Sequence, residues 1–247
     1  MGLPDDETIV SYLGECSAQG KISPPLAVYN FGRPGYLSTQ EMVLFQQLLA
    51  SGFIPQDAVF IDGLNDFFQV DGQPMNTAEL RGILAGEIGG SFDFVPMVRA
   101  AHWLRKLWAK PTDEQNTDYS DLLMLHQVTD RWLANKKMIE AIADRFVVRT
   151  IFVWQPIPTY KYDLRYHFLL HSDKEFGPNF RSEYGYALME NLRTQGKLGS
   201  NVLWLADIQL DKRENLYLDS IHYNAPFSKE IAGRICSFLC QHPNDHP

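Results

Sequence analysis

The chain has 247 residues, 45% hydrophobic and 21% charged, with a formal net charge of −8 at pH 7. That length can bury one sizeable core, and the balance is that of a folded domain rather than a disordered one. The negative charge excludes nucleic acid or an anionic membrane surface as main partner, since binding phosphate takes clustered Lys and Arg. No run approaches the about 20 apolar residues of a membrane span, and no signal-peptide pattern opens the sequence. Membrane association and localisation stay open.

The first helical pattern, Asp6 to Ala18, puts Ile9, Tyr12, Leu13 and Cys16 on one side. Leu26 to Phe31 then reads as a buried strand. Thr39 to Ala50 spaces Met42, Phe45, Leu48 and Leu49 by three and four residues, with Ser38 or Thr39 as the expected N-cap. Ala58 to Ile61 is the second expected strand. Two longer helical stretches follow, Phe92 to Ala109 and Asp118 to Phe146. Thr150 to Trp154 and Asn201 to Ala206 are the third and fourth strands, with a helix over Ser182 to Gln195 between them and another from Ser228 to Leu239 closing the chain. Continuous rather than alternating apolarity suits strands covered on both faces. Strand and helix in turn predict a doubly wound α/β domain spanning residues 1–247. The stretch from about Gly72 to Asp144 exceeds one crossover, so a helical insertion forming a cap or partner surface is expected.

In such a sheet, ligands bind beyond the carboxyl ends of the strands, and polar residues and glycines collect there. Asn30-Phe31-Gly32-Arg33-Pro34-Gly35-Tyr36-Leu37-Ser38 follows the first strand, and Asp62-Gly63-Leu64-Asn65-Asp66 the second. Gln155-Pro156 follows the third, as a substrate contact or a turn cap. Asp219-Ser220-Ile221-His222 lies beyond the fourth. A carboxylate three residues before an imidazole can accept the Nδ1 proton and leave Nε2 as a general base. An amide at Asn65 and a main-chain N–H at a glycine can donate to a developing oxyanion. Each motif alone also fits an ordinary turn.

Together, Asn30-x-Gly32-x-x-Gly35-Tyr36-x-Ser38, Gly63-x-Asn65-Asp66 and Asp219-x-x-His222 resemble the second, third and fifth sequence blocks of the SGNH (GDSL-type) hydrolases, in the family's order. The resemblance implies a three-layer α/β/α sandwich with a parallel, flavodoxin-like sheet. It implies a serine ester hydrolase acting on a small-molecule, glycan or lipid ester without any cofactor. His222 is then the general base and Asp219 its orienting carboxylate. Gly35 supplies a main-chain oxyanion donor and Asn65 a side-chain donor, and Asp66 supports the loop.

The family's first block, Gly-Asp-Ser or Gly-Gly-Ser after the first strand, has no counterpart here. Ser11 and Ser17 fall in a helical pattern, Ser23 precedes two prolines, and Ser38 belongs to the second block. Residues 1–8 resemble the loop behind the first block. The first strand and the nucleophilic serine are therefore expected upstream of Met1. The alternative is a catalytically inactive binding or scaffold protein of the same shape.

The other histidines show no ligand spacing. His167 and His171 stand four apart but lack a third ligand, so no metal is expected. Trp103, Trp108, Tyr119 and Trp132 read as core or as the lining of an acyl or sugar pocket. Cys16, Cys236 and Cys240 form no disulfide framework, and Cys236 and Cys240, four apart on a helical pattern, are expected as buried or half-buried thiols.

Overall fold

The computed structural model describes residues 3–20, 22, 25–68 and 118–241. Three parallel strands, β1 (Asp57–Asp62), β2 (Arg149–Trp154) and β3 (Val202–Trp204), form an open sheet in the order β1-β2-β3. Asp57 pairs with Arg149 at one end of the first ladder and Asp62 with Trp154 at the other. Around the sheet lie α1 (Ile9–Ala18), α2 (Ser38–Ala50), the short α3 (Leu64–Phe68), α4 (Leu122–Phe146), α5 (Arg181–Thr194) and α6 (Ala225–Gln241).

Alternate strand residues point to opposite faces, and the core divides accordingly. Phe60, Phe152 and Trp154 pack with Phe45 of α2, Trp132 of α4 and Tyr186 of α5. Ile151 and Val153 pack with Leu13 of α1 and Ile231 and Ile235 of α6. The fold is mixed α/β with an open parallel sheet. Among the described residues, no helix is long and apolar enough to cross a membrane.

Several elements depart from expectation. Leu26 to Phe31 has no regular secondary structure and, among the described residues, forms no ladder. Its apolar residues satisfy the pattern of a strand, but among the described residues its main chain meets no strand with which to pair. It is held instead at one end by Ser17, whose hydroxyl accepts from Leu26 N (2.6 Å) and donates to Leu26 O (3.1 Å). The first helical pattern splits into a 3-10 turn, Asp5–Glu7, and α1, which Thr8 caps through Ser11 N. The N-cap of α2 is Leu37, neither Ser38 nor Thr39. The cap closes through Gln40 Oε1, which accepts from Leu37 N at 2.9 Å.

Of the insertion expected from about Gly72 to Asp144, residues 118 onward are described. Asp121 caps α4 through Leu123 N and Met124 N. Leu125, Val128, Trp132 and Ile139 then bury one face of that helix in the core beside the sheet. The helix expected from Phe92 to Ala109, with Trp103 and Trp108, lies outside the described residues. Cys16 and Cys236 are joined in a disulfide, and Cys240 is exposed. The bridge follows from α1 packing beside α6, a neighbourhood that cysteine spacing along the chain does not reveal.

Candidate active site

The turn from Leu216 to Asn224 carries the Asp219–His222 pair. It is pinched shut by Leu218 N donating to His222 O (2.7 Å), Asn224 N to Leu216 O (2.9 Å), and an antiparallel bridge between Tyr217 and Tyr223. Asp219 Oδ1 accepts from Ile221 N (3.0 Å) and His222 N (2.9 Å), the local ring that aspartate favours in turns. The same carboxylate meets His222 Nδ1, Oδ2 at 2.7 Å and Oδ1 at 3.0 Å. Burial pushes the Asp219 carboxyl up, but the two N–H groups and the imidazole outweigh it and hold the group below its ordinary range. An ionised Asp219 fixes the tautomer with the proton on Nδ1, which leaves Nε2 as the basic nitrogen.

Large buried rings brace this turn. Tyr217 is fully buried, donates to Gln209 Oε1 (2.6 Å) and stacks on His167 with centroids 5.4 Å apart. His167 is also buried, and its Nδ1 accepts from Leu169 N (3.2 Å) and Leu170 N (3.0 Å). It is structural and lies outside any helix, and His171 shares no helical face with it. The Tyr223 hydroxyl donates to the Pro156 carbonyl (2.5 Å) and lies 3.0 Å from Gln155 Oε1, tying the turn to the end of β2.

The second wall is the end of β1. Gly63 has φ 140°, and a Cβ there would lie 2.1 Å from the Tyr186 hydroxyl, so the backbone turns sharply where no other residue fits. This turn aims Asn65, in the first turn of α3, at the Asn30–Ser38 segment, and Asn65 Nδ2 donates to Tyr36 O at 2.8 Å. A side-chain amide has two N–H groups, so this bond positions the second as well as fastening the two loops together. Gly35 precedes Tyr36 with φ 72°, in the turn closed by Tyr36 N donating to Arg33 O (3.2 Å).

Beneath Asn65 lies a buried acidic group. Asp66 Oδ1 accepts from Ser38 Oγ (2.6 Å), which in turn accepts from Asn135 Nδ2 (2.9 Å). Asp62 Oδ2 accepts from Trp132 Nε1 at 2.9 Å. Burial and then the neighbouring Asp66 push Asp62 up to about 7. Burial and Asp62 raise Glu41 well above its usual range. No spacing along the sequence marked Glu41, Tyr217 or Tyr223 for this site; they reach it from α2 and from the turn before α6.

Asn65, Tyr36, Gln155 and His222 all line one groove of about 1110 Å³. Of the four expected site residues, Asn65 and His222 are brought to this groove. Asp219 stands behind His222, and Gly35 lies between lining residues Arg33 and Tyr36. The serines are engaged elsewhere: Ser11 with Thr8, Ser17 with Leu26, Ser38 with Asp66. Ser23 lies outside the described residues. Among the described residues, no group of three metal-ligating side chains converges. No protein-family model matches the chain, and no curated protein matches it.

Proposed function

We propose that the protein is a serine ester hydrolase of the SGNH type, its nucleophile supplied by polypeptide outside residues 1–247. The observation that carries this reading is the Asp219–His222 pair at 2.7 Å on the lip of a groove that Asn65 also lines. In this mechanism His222 Nε2 takes the serine proton as the hydroxyl attacks the ester carbonyl. Asp219 stabilises the imidazolium, and Asn65 Nδ2 and Gly35 N–H donate to the tetrahedral oxyanion. His222 then returns the proton to the leaving alcohol, and water repeats the sequence on the acyl-enzyme. The substrate class is a small-molecule, glycan or lipid ester.

The test is hydrolysis of p-nitrophenyl acetate by protein expressed with its upstream coding sequence. His222→Ala should abolish turnover. Asn65→Ala should lower kcat by about 10²–10³, whereas a rise confined to KM would contradict an oxyanion role. Unchanged turnover in His222→Ala rejects the assignment.

A binding role without turnover draws on a different observation. Among the described residues, the His222 ring bonds to Asp219 and to no hydroxyl or thiol. Binding of acetylated sugars or fatty esters without hydrolysis, in the same protein, would favour it.

A further inference from the structure

His167 is a buried imidazole that the chemistry above does not use, 1% exposed behind the turn that carries Asp219 and His222. Its main-chain N–H closes the 3-10 turn Leu164–Tyr166 by donating to Leu164 O at 3.1 Å. Its Nδ1 accepts from Leu169 N and from Leu170 N, which folds residues 167–171 around the ring. A nitrogen that accepts two N–H groups holds no proton, so the neutral ring carries its proton on Nε2. Nε2 is shut away from solvent and, among the described residues, has no hydrogen-bond partner.

The ring is a plate between this loop and the turn. One face stacks on Tyr217 at 22° between planes, and Phe176 meets it edge-on with centroids 6.0 Å apart. Tyr217 stands at the foot of the turn, bridged to Tyr223 across it. The His222 ring itself is largely exposed, so Asp219 and the main chain of the turn decide where it points.

The groups that face His167 leave no room for a second proton. It would have to sit on Nδ1, donor against the two donors Leu169 N–H and Leu170 N–H. Burial opposes it first, and His171 does so by charge; the carbonyls of Ser220 and Asp219 and the Asp219 carboxylate act the other way, and the balance holds His167 below its ordinary range. Tyr162 and Tyr217 present rings, their hydroxyls donating to Glu214 O and Gln209 Oε1. Glu175, beside Phe176, accepts from His171 N, and Asp163 is paired with Arg165. With the loop open, the ring takes its second proton at the ordinary value of 6.5; closed, it does so lower. The closed loop is therefore fully stable above the ordinary value and loses stability as pH falls below it.

We propose that His167 is a positioning residue for His222: its neutral ring holds the 167–171 loop closed against Tyr217 and so fixes the turn that aims the Asp219–His222 pair, and a second proton on the ring releases that turn. That the aimed pair hydrolyses an ester rests on the hydrolase reading; the positioning does not.

The experiment is amide hydrogen exchange with NMR titration of the 247-residue chain, the His167 Cε1–H signal reporting its ring. Leu218, Ile221, His222 and Asn224 are the donors that close the turn. Corrected for the intrinsic pH dependence of exchange, their protection should fall at least about tenfold on acidification, with the midpoint of the His167 signal. In His167→Asn the side-chain oxygen can still accept from the two loop amides, as asparagine does in turns, but no ring lies on Tyr217 and no imidazole titrates. Leu169 and Leu170 should then stay protected, the four turn amides should exchange at least about tenfold faster even above the titration, and the acid step should vanish. His171→Asn should keep the step. Turn amides at native rates in His167→Asn, the result of a residue that caps only its own loop, overturn the proposal. So does an acid step that persists there, which would belong to Asp219 or His222. If the variant fails to fold, the native titration decides alone, and a His167 midpoint apart from that of the turn amides overturns the proposal. Turnover of p-nitrophenyl acetate tests the hydrolase reading separately: His167→Asn should lower kcat at least about tenfold with KM nearly unchanged. Exchange as expected, with turnover indifferent to His222→Ala, keeps the positioning role and removes the hydrolase.

Discussion

At the scale of single residues, the carboxyl of Asp62 has the clearest consequence. It lies 4% exposed at the end of β1, within the buried acidic group formed with Glu41 and Asp66. Its acid form is favoured on folding, with a value near 7 against 3.8 when unshifted. The unfolded chain gives up this proton near pH 4 while the folded chain keeps it to about pH 7. The sign is therefore that stability from this group is complete below pH 4 and declines as pH rises through 7. Asp62→Asn keeps an acceptor for Trp132 Nε1 and removes the ionisation. It should raise the melting temperature at pH 8, by a stability on the order of 4 kcal/mol at most, and leave it nearly unchanged at pH 4. A variant whose pH dependence ran parallel to that of the wild type would contradict this account. The contact of Asp219 with His222 was legible in the sequence because the two lie three residues apart in one turn, whereas Asn65 meets Tyr36, 29 residues away. The sequence did not announce Glu41 beside Asp62 or Tyr223 against Pro156, since those partners meet only after the chain has crossed the sheet.

At the scale of elements, three of the four expected strands were legible because continuous apolarity over four to six residues is enough to mark a doubly covered strand. Leu26 to Phe31 carries the same composition and makes no ladder, because a strand is defined by its neighbour's main chain as well as its own side chains. The helix from Leu122 to Phe146 was legible as a helix, and of its core residues Trp132 was the one read from the sequence as core or pocket lining. The apolar stripe of this helix is ordinary, and what it covers is seen in the ring of Trp132, 5.2 Å from Trp154 and 6.0 Å from Phe152. The crossing of α3 and α5 is close-packed. Phe67 of α3 is fully buried, and a Cβ on Gly185 of α5 would fall 2.2 Å from its ring. Gly185→Ala should thus cost about 1–3 kcal/mol through overpacking, despite the better helix propensity of alanine. Chemical denaturation measures it. Phe67→Leu in the same chain should recover part of the loss, and a purely additive double variant would argue against a shared contact.

At the scale of the whole molecule, the alternation of strand and helix announced an α/β architecture, and the sheet meets that expectation as far as three parallel strands. What holds the chain's two ends together was not legible. Cys16 and Cys236, 220 residues apart, bridge α1 to α6. These are the helices whose Leu13 and Ile235 form one side of the groove. Loop closure over that separation restricts the unfolded chain by about 5 kcal/mol in the entropic picture, so the bridge stabilises the pairing of the two helices that cover one face of the sheet. Reduction with dithiothreitol should lower the melting temperature of the native chain and speed amide exchange in α1 ahead of β2. The double variant Cys16→Ser, Cys236→Ser should melt at the reduced value and no longer respond to reductant. Cys240→Ser, changing the exposed thiol outside the bridge, should melt like the native chain under both conditions. A native chain indifferent to reductant would mean that packing between α1 and α6, through Leu13, Ile231 and Ile235, closes this side of the fold without the covalent link.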